Sequence, residues 1–176
     1  MVIGTGGAGK STLARRLGDI TGLPVIHLDR EHWQPGWVEP PRDEWATKVN
    51  ELAARDRWVM DGNYGGTMGA RIQRADTVVF LDFPRLLCIY RALKRRVVYR
   101  NRQRPDMTPG CDEKIDFKFL KWIWDYNRTR RPGILQMLTE AEEDGKTVVI
   151  LRGRKEVERW VRTAGLSAAD AAATSA

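Results

Sequence analysis

The residues with the most evident chemistry stand at the start of the chain. Gly4-Thr5-Gly6-Gly7-Ala8-Gly9-Lys10-Ser11 fits G-x-x-x-x-G-K-[ST], the P-loop pattern, with Thr12 directly behind it. Glycines let such a loop turn tightly and point successive N–H groups at phosphate oxygens. Gly4, Gly6, Gly7, Ala8 and Gly9 would form that cradle, and Thr12 would extend it into the following helix. Lys10 would reach the β- and γ-phosphates of a nucleoside triphosphate, and the Ser11 hydroxyl would hold Mg²⁺. The helix behind the loop adds its positive N-terminal end.

A second motif overlaps the first. Gly4-x-Gly6-x-x-Gly9 is also the dinucleotide fingerprint, and Asp29 ends an apolar run twenty residues after Gly9, where a ribose-binding acid belongs. A Rossmann protein binding NAD is therefore an alternative. Lys10 and Ser11 favour phosphate transfer, because a Rossmann turn has no need of that pair.

Further candidates follow along the chain. Asp61 closes the apolar run Trp58-Val59-Met60, a place from which a carboxylate can hold Mg²⁺ directly or through water. Asp82, before Pro84, rivals it and is also read as a helix cap. Arg91 and Arg95 lie on or near one helical face. With Arg128 or Arg131 closing from the far side, they would clamp the transferred group through the planar, always charged guanidinium fork. Asp29 would orient or deprotonate an acceptor hydroxyl. Arg154, just past the last strand, is placed beside an adenine. His27 is read as a packed histidine, and no zinc site is expected.

These residues need elements to hold them, and hydropathy patterning supplies them. Short apolar strands are expected at Val2-Ile3, 24–29, 58–61, 77–82 and 147–151. The first is short for a sheet centre, where ~5–6 residues are usual, so further residues are expected upstream of Met1. Helices are expected over 11–20, 43–55, 67–74, 86–100, 113–127, 132–144 and 155–163. In the 86–100 helix, Leu86, Ile89, Leu93 and Val97 are assigned the inward face. Residues 30–42 read as a loop in which Trp33 and Trp37 anchor the chain to the body or stack on a substrate base. Strand alternating with helix implies a five-stranded α/β/α sandwich with a buried parallel sheet and a helical lid inserted late, at roughly 85–131. Residues 1–165 form one domain, and the Ala/Ser-rich stretch 166–176 is expected to be disordered.

Composition narrows the classes. The net charge of +7 is concentrated between Arg85 and Arg131, where 14 Lys/Arg face 5 Asp/Glu. That concentration implies a local anionic partner, either nucleotide phosphates or a nucleic acid. Cys88 and Cys111 are too few for a disulfide framework, which points to the cytoplasm. The first residues lack the regions of a signal peptide, and no apolar run approaches a membrane span, so no membrane partner is expected.

Several blocks together resemble known proteins. Asp61-Gly62-Asn63-Tyr64 resembles the Asp-Gly-Phe-Pro stretch of adenylate kinases, and Leu81-Asp82-Phe83-Pro84 resembles the end of their fourth strand. Arg91-Ala92-Leu93-Lys94-Arg95-Arg96 falls where those kinases begin their lid. Val25-Ile26-His27-Leu28-Asp29, Trp37-Val38-Glu39-Pro40-Pro41 and Arg104-Pro105-Asp106-Met107 look like the adenylate-kinase-related group known as DNA topology modulation (FlaR-type) proteins. The resemblance implies a P-loop kinase-like fold with strand order 2-3-1-4-5, using ATP and Mg²⁺. It places Asp61 on a strand beside the P-loop strand. Asn63-Tyr64 stands where adenylate kinases have Phe-Pro-Arg, so the arginine that grips a monophosphate is missing, and Arg71 is its substitute or a solvated helix residue.

The resulting expectation is phosphoryl transfer from ATP·Mg²⁺ to a small acceptor, for example a nucleotide or nucleoside. A nucleic-acid-binding ATPase is the alternative. The basic segment and Trp122, Trp124 and Tyr126 would serve it, although those aromatics read first as helix core.

Overall fold

The computed structural model describes residues 1–100, 106–111 and 117–163. Five strands form the sheet: β1 (Val2–Gly4), β2 (Val25–His27), β3 (Val59–Asp61), β4 (Thr77–Leu81) and β5 (Thr147–Leu151). Their order is β2-β3-β1-β4-β5, and every pairing is parallel. Helices α1 (Lys10–Thr21), α2 (Leu28–His32), α3 (Arg42–Ala53), α4 (Met68–Arg74), α5 (Arg85–Val98), α6 (Phe117–Thr129) and α7 (Arg131–Glu143) connect them, with α8 over 154–163.

The two-residue period of the strands divides the core into layers. Val2, Val59, Val79 and Leu81 face Leu13 and Leu17 of α1, Cys88 and Ala92 of α5, Ile123 of α6 and Val161 of α8. Ile3, Val78 and Phe80 face the other way, onto Met68 and Ile72 of α4 and Ile134 and Leu138 of α7. Met60 packs with Leu28 and with Trp45, Val49 and Leu52 of α3. Because both faces are covered, the strands carry apolar runs and no polar alternation. Each fully buried side chain of this kind, Phe80 for example, contributes ~1.5–3 kcal/mol.

Two expectations are corrected. The strand read over 24–29 ends at His27, and the chain turns at once into the short helix α2, which carries Asp29. The inward face of α5 is Cys88 and Ala92, both fully buried, whereas Leu86, Leu93 and Val97 are 67%, 44% and 75% exposed. The reason is steric. A Cβ on Gly7 would lie 2.2 Å from the Cys88 carbonyl oxygen, so α5 approaches the glycine-rich loop too closely for large side chains. Small residues one turn apart permit that approach. Between β4 and β5 the chain passes through α5, α6 and α7, and α5 and α6 share the core cluster of α1. The loop expected over 101–112 and the start of the helix expected at 113 lie largely outside the described residues, as does the 166–176 tail.

Candidate functional site

β1 ends at Gly4, and residues 4–9 turn into α1 around left-handed positions that only glycine adopts readily, φ 80° at Gly7 and 99° at Gly9. The first helical bond of α1 runs from Leu13 N to Gly9 O at 3.0 Å. The amides ahead of it within α1 have no partner within the helix. The loop is packed closely against α6: a Cβ on Gly6 would meet the Phe119 ring at 2.7 Å.

Above the loop lies a cavity of about 1260 Å³. Its floor holds Lys10, whose Nζ donates to the Thr5 carbonyl at 3.1 Å. Burial lowers the Lys10 pKa, and Asp29 and Asp61 act against that by favouring the charged form. Beside it the Ser11 hydroxyl donates to Asp61 Oδ2 at 2.8 Å. The other oxygen of Asp61 accepts from His27 Nδ1. Parallel register places His27 directly opposite Asp61 on β2 and β3, so the sheet itself makes this pairing. Asp61 is 4% exposed, and its two recorded partners hold one oxygen each. Sequence reasoning left His27 as a packed side chain; the strand order was the signal that could have found it.

The next loop completes this side. The Asn63 side-chain oxygen accepts from Gly4 N at 3.1 Å, tying the loop after β3 to the end of β1. The Tyr64 hydroxyl donates to Asp29 Oδ1 at 2.9 Å, which draws α2 against the same loop. Burial and the Asp29 carboxylate push the Tyr64 pKa upward, so the phenol keeps the proton it donates. His32, buried and with Nδ1 unpartnered, packs its ring 4.6 Å from both Trp45 and Tyr64 and 5.0 Å from Trp33. Burial lowers its pKa, so the imidazole is held neutral.

The expected arginines separate into two groups. Arg91, Arg95 and Arg154 line the cavity with Lys10, and Arg91 lies 3.5 Å from the Ala8 carbonyl. Arg16 also lines it and is held by Glu158 through two bonds of 2.9 Å. Arg71, Arg128 and Arg131 are not brought to the cavity. Arg71 is fully buried, and its guanidinium donates to the carbonyls of Thr67, Gly62, Asn63 and Tyr64. Its role in this structure is to hold the 62–67 loop in shape. Burial lowers its pKa only to about 10, so it stays charged at neutral pH. Arg131 makes two bonds to Asp82, at 2.8 and 2.9 Å, which also engages the alternative metal carboxylate. Arg128 is exposed on α6. Sequence spacing put Arg128 and Arg131 at the far side of the lid and Arg71 on the 67–74 helix, and none of the three is among the residues lining the cavity.

The opposite wall was only partly legible. Trp33, Trp37 and Glu39 come from the segment after α2, and Asp106 and Met107 from the insertion. The two stretches are tied to each other: Thr108 Oγ1 donates to Arg30 O at 2.8 Å, Gly36 N to Gly110 O at 3.0 Å, and Cys111 Sγ to Gln34 O at 3.2 Å. Nothing local in either stretch announces the other.

Ser11 and Asp61 are hard oxygen donors of the kind Mg²⁺ takes with phosphate oxygens, and their 2.8 Å contact places both at one point beside Lys10. The residues therefore fit that ion.

No protein-family model and no curated protein matches the chain. Among solved structures it is similar to an unliganded sugar kinase from Janibacter sp. HTCC2649, with a TM-score of 0.52 and 19% identity over 96% of this chain and 92% of that one. The fold is a P-loop kinase-like α/β/α sandwich with sheet order 2-3-1-4-5. Among the described residues, no helix is long and apolar enough to cross a membrane.

Proposed function

We propose that the protein is an ATP·Mg²⁺-dependent phosphotransferase acting on a small acceptor, within the adenylate-kinase-related, FlaR-type group and in the cytoplasm. One observation carries the reading: Lys10 and Ser11, whose hydroxyl is bonded to Asp61 behind it, line a cavity that Arg91, Arg95 and Asp29 also line. Lys10 and the loop amides bind the polyphosphate and neutralise charge that develops on the transferred group. Arg91 and Arg95 flank the same group, and Arg154 stands beside the nucleoside. Ser11 and Asp61 would hold Mg²⁺, which when bound would screen the phosphate charge. Asp29, fixed by Tyr64, receives the acceptor's proton.

The sheet order supports this over the NAD reading, because the dinucleotide fold is built in the order 3-2-1-4-5-6. The similar sugar kinase puts sugars among the acceptors to assay beside nucleosides and nucleotides. Coupled ADP release is the test. Lys10→Ala is expected to lose turnover by ~10²-fold or more while keeping the wild-type circular dichroism spectrum. Binding of NAD⁺ without binding of ATP·Mg²⁺, followed by tryptophan fluorescence, would overturn the proposal.

A further inference from the structure

Helix α5 is packed inside out. Its inward residues, Cys88 and Ala92, are small, while Leu86, Tyr90, Leu93 and Val97 are 67%, 60%, 44% and 75% exposed. Close passage over Gly7 accounts for the small inward side. It does not account for large apolar residues on the outward side, where a surface helix ordinarily carries polar ones. The four follow one another at steps of four, three and four residues, so they form one stripe, nearly opposite Cys88 and Ala92. A continuous exposed stripe, unlike scattered apolar residues, marks an interaction site. Half-exposed Trp124 of α6 stands at the start of the same helix, with the Arg85 guanidinium 3.9 Å over its ring.

Spacing and charge together define what fits this face. Alternating steps of four and three are the a and d positions of a coiled-coil seam, which receives the apolar ridge of one further helix. Lys94 and Arg96 then fall at the flanking e and g positions, and both are exposed. Between Arg85 and Arg100 the chain has six Lys/Arg and no Asp/Glu. Residues 101–105 and 112–116, outside the described ones, add three of each sign, so the basic balance of this region holds wherever they lie. A helix that matches the seam must therefore bring carboxylates to its own flanking positions. A second copy of α5 would instead set Lys94 and Arg96 against the same cations, whichever way it ran.

We propose that the outward face of α5 docks an acidic amphipathic helix of a partner protein, with apolar residues in a heptad seam and Glu or Asp beside it. Arg91, elsewhere on the circumference of α5, lines the cavity next to the glycine-rich loop. A partner seated on the stripe would thus hold an element of that cavity in place.

The probes are synthetic helices of about three heptads. One has Leu at a and d with Glu at e and g, one has Leu at a and d with Lys at e and g, and one has Gln at a and d with Glu at e and g. Binding to the full chain is followed by the fluorescence anisotropy of a dye on each peptide. The Leu/Glu helix is expected to bind tenfold or more tighter than either of the others. Leu93→Gln with Val97→Gln is expected to weaken it about tenfold, and Lys94→Glu with Arg96→Glu to turn the preference towards the Leu/Lys helix. All four positions are exposed, so these variants are expected to keep the wild-type circular dichroism spectrum. Equal binding of the Leu/Glu and Gln/Glu helices, or binding that the Leu93 and Val97 substitutions leave unchanged, overturns the docking face. Self-association of the chain in sedimentation equilibrium, abolished by those two substitutions, gives the stripe to a second copy and overturns the acidic partner. Flotation with phosphatidylglycerol–phosphatidylcholine vesicles that depends on the same two residues overturns it in favour of a membrane surface.

Discussion

The Ser11 hydroxyl donates to Asp61 across 2.8 Å, joining the start of α1 to the end of β3 fifty residues later. His27 takes the other carboxylate oxygen from the neighbouring strand. His27 and Asp61 lie on adjacent parallel strands, and the sheet order places β3 between β2 and β1, the strand that leads into the glycine-rich loop and α1.

This arrangement predicts a division of labour. Asp61→Asn should lower kcat by ~10²-fold, because the residue would meet the ion itself. His27→Gln should leave kcat at saturating Mg²⁺ nearly unchanged but raise the Mg²⁺ concentration for half-maximal activity ~10-fold or more, as expected for a group that orients a ligand. Titration of Mg²⁺ at fixed ATP checks both. Equal effects on kcat and on Mg²⁺ dependence in His27→Gln would count against the positioning role.

Arg71 is a buried cation with backbone acceptors, so its removal should be felt in stability before activity. Arg71→Ala leaves the carbonyls of Gly62, Asn63 and Tyr64 without a donor and opens a cavity. A loss of about 4 kcal/mol is expected in urea denaturation. Arg71→Lys should restore little of it, because one ammonium cannot reach the same spread of acceptors.

Gly7 should tolerate no side chain. Its φ of 80° strains any L-residue, and the new Cβ would press on the Cys88 backbone rather than on a flexible side chain. Gly7→Ala is expected to cost ~3 kcal/mol and to weaken ATP binding, as read by thermal melts with and without ATP·Mg²⁺. Gly9→Ala meets no atom within 4 Å and carries only the backbone strain at φ 99°, so its cost should be smaller.

The thiol of Cys88 gives a pH prediction. Burial pushes it from an ordinary 9.0 up to about 11, with Arg91 and Lys10 acting weakly against the shift. A raised folded-state pKa means that the unfolded chain releases this proton first. Stability is therefore fully present below pH 9 and is lost as pH rises from 9 towards 11. Urea midpoints at several pH values should fall over that window in the wild-type protein. The fall should be shallower in Cys88→Ala, even though that variant starts from a lower midpoint. Parallel curves for the two proteins would mean that Cys88 is not the source.

Much of the architecture was legible because its signals are local. Glycine spacing announced the loop, and continuous apolar runs such as Thr77–Leu81 announced strands buried on both faces. Lys10, Ser11 and Asp61 could be named from the chain, since each sits at the end of an element that the pattern marks. The inward face of α5 could not be named. Hydropathy favours Leu86, Leu93 and Val97, and only the close passage of the α5 backbone over Gly7 selects Cys88 and Ala92.

The arginines mark the same boundary. Residue type determined that Arg71, Arg91, Arg95 and Arg131 would each stay charged and seek acceptors. Packing decided which acceptors: backbone carbonyls for Arg71, Asp82 for Arg131 and the Ala8 carbonyl for Arg91, which lines the cavity together with Arg95. Likewise, the joining of Asp29 to Tyr64 and of residues 106–111 to 30–36 is a long-range closure. Spacing along a chain describes one element at a time. The cavity beside the glycine-rich loop is lined where several elements meet, so only the tertiary structure could assemble it.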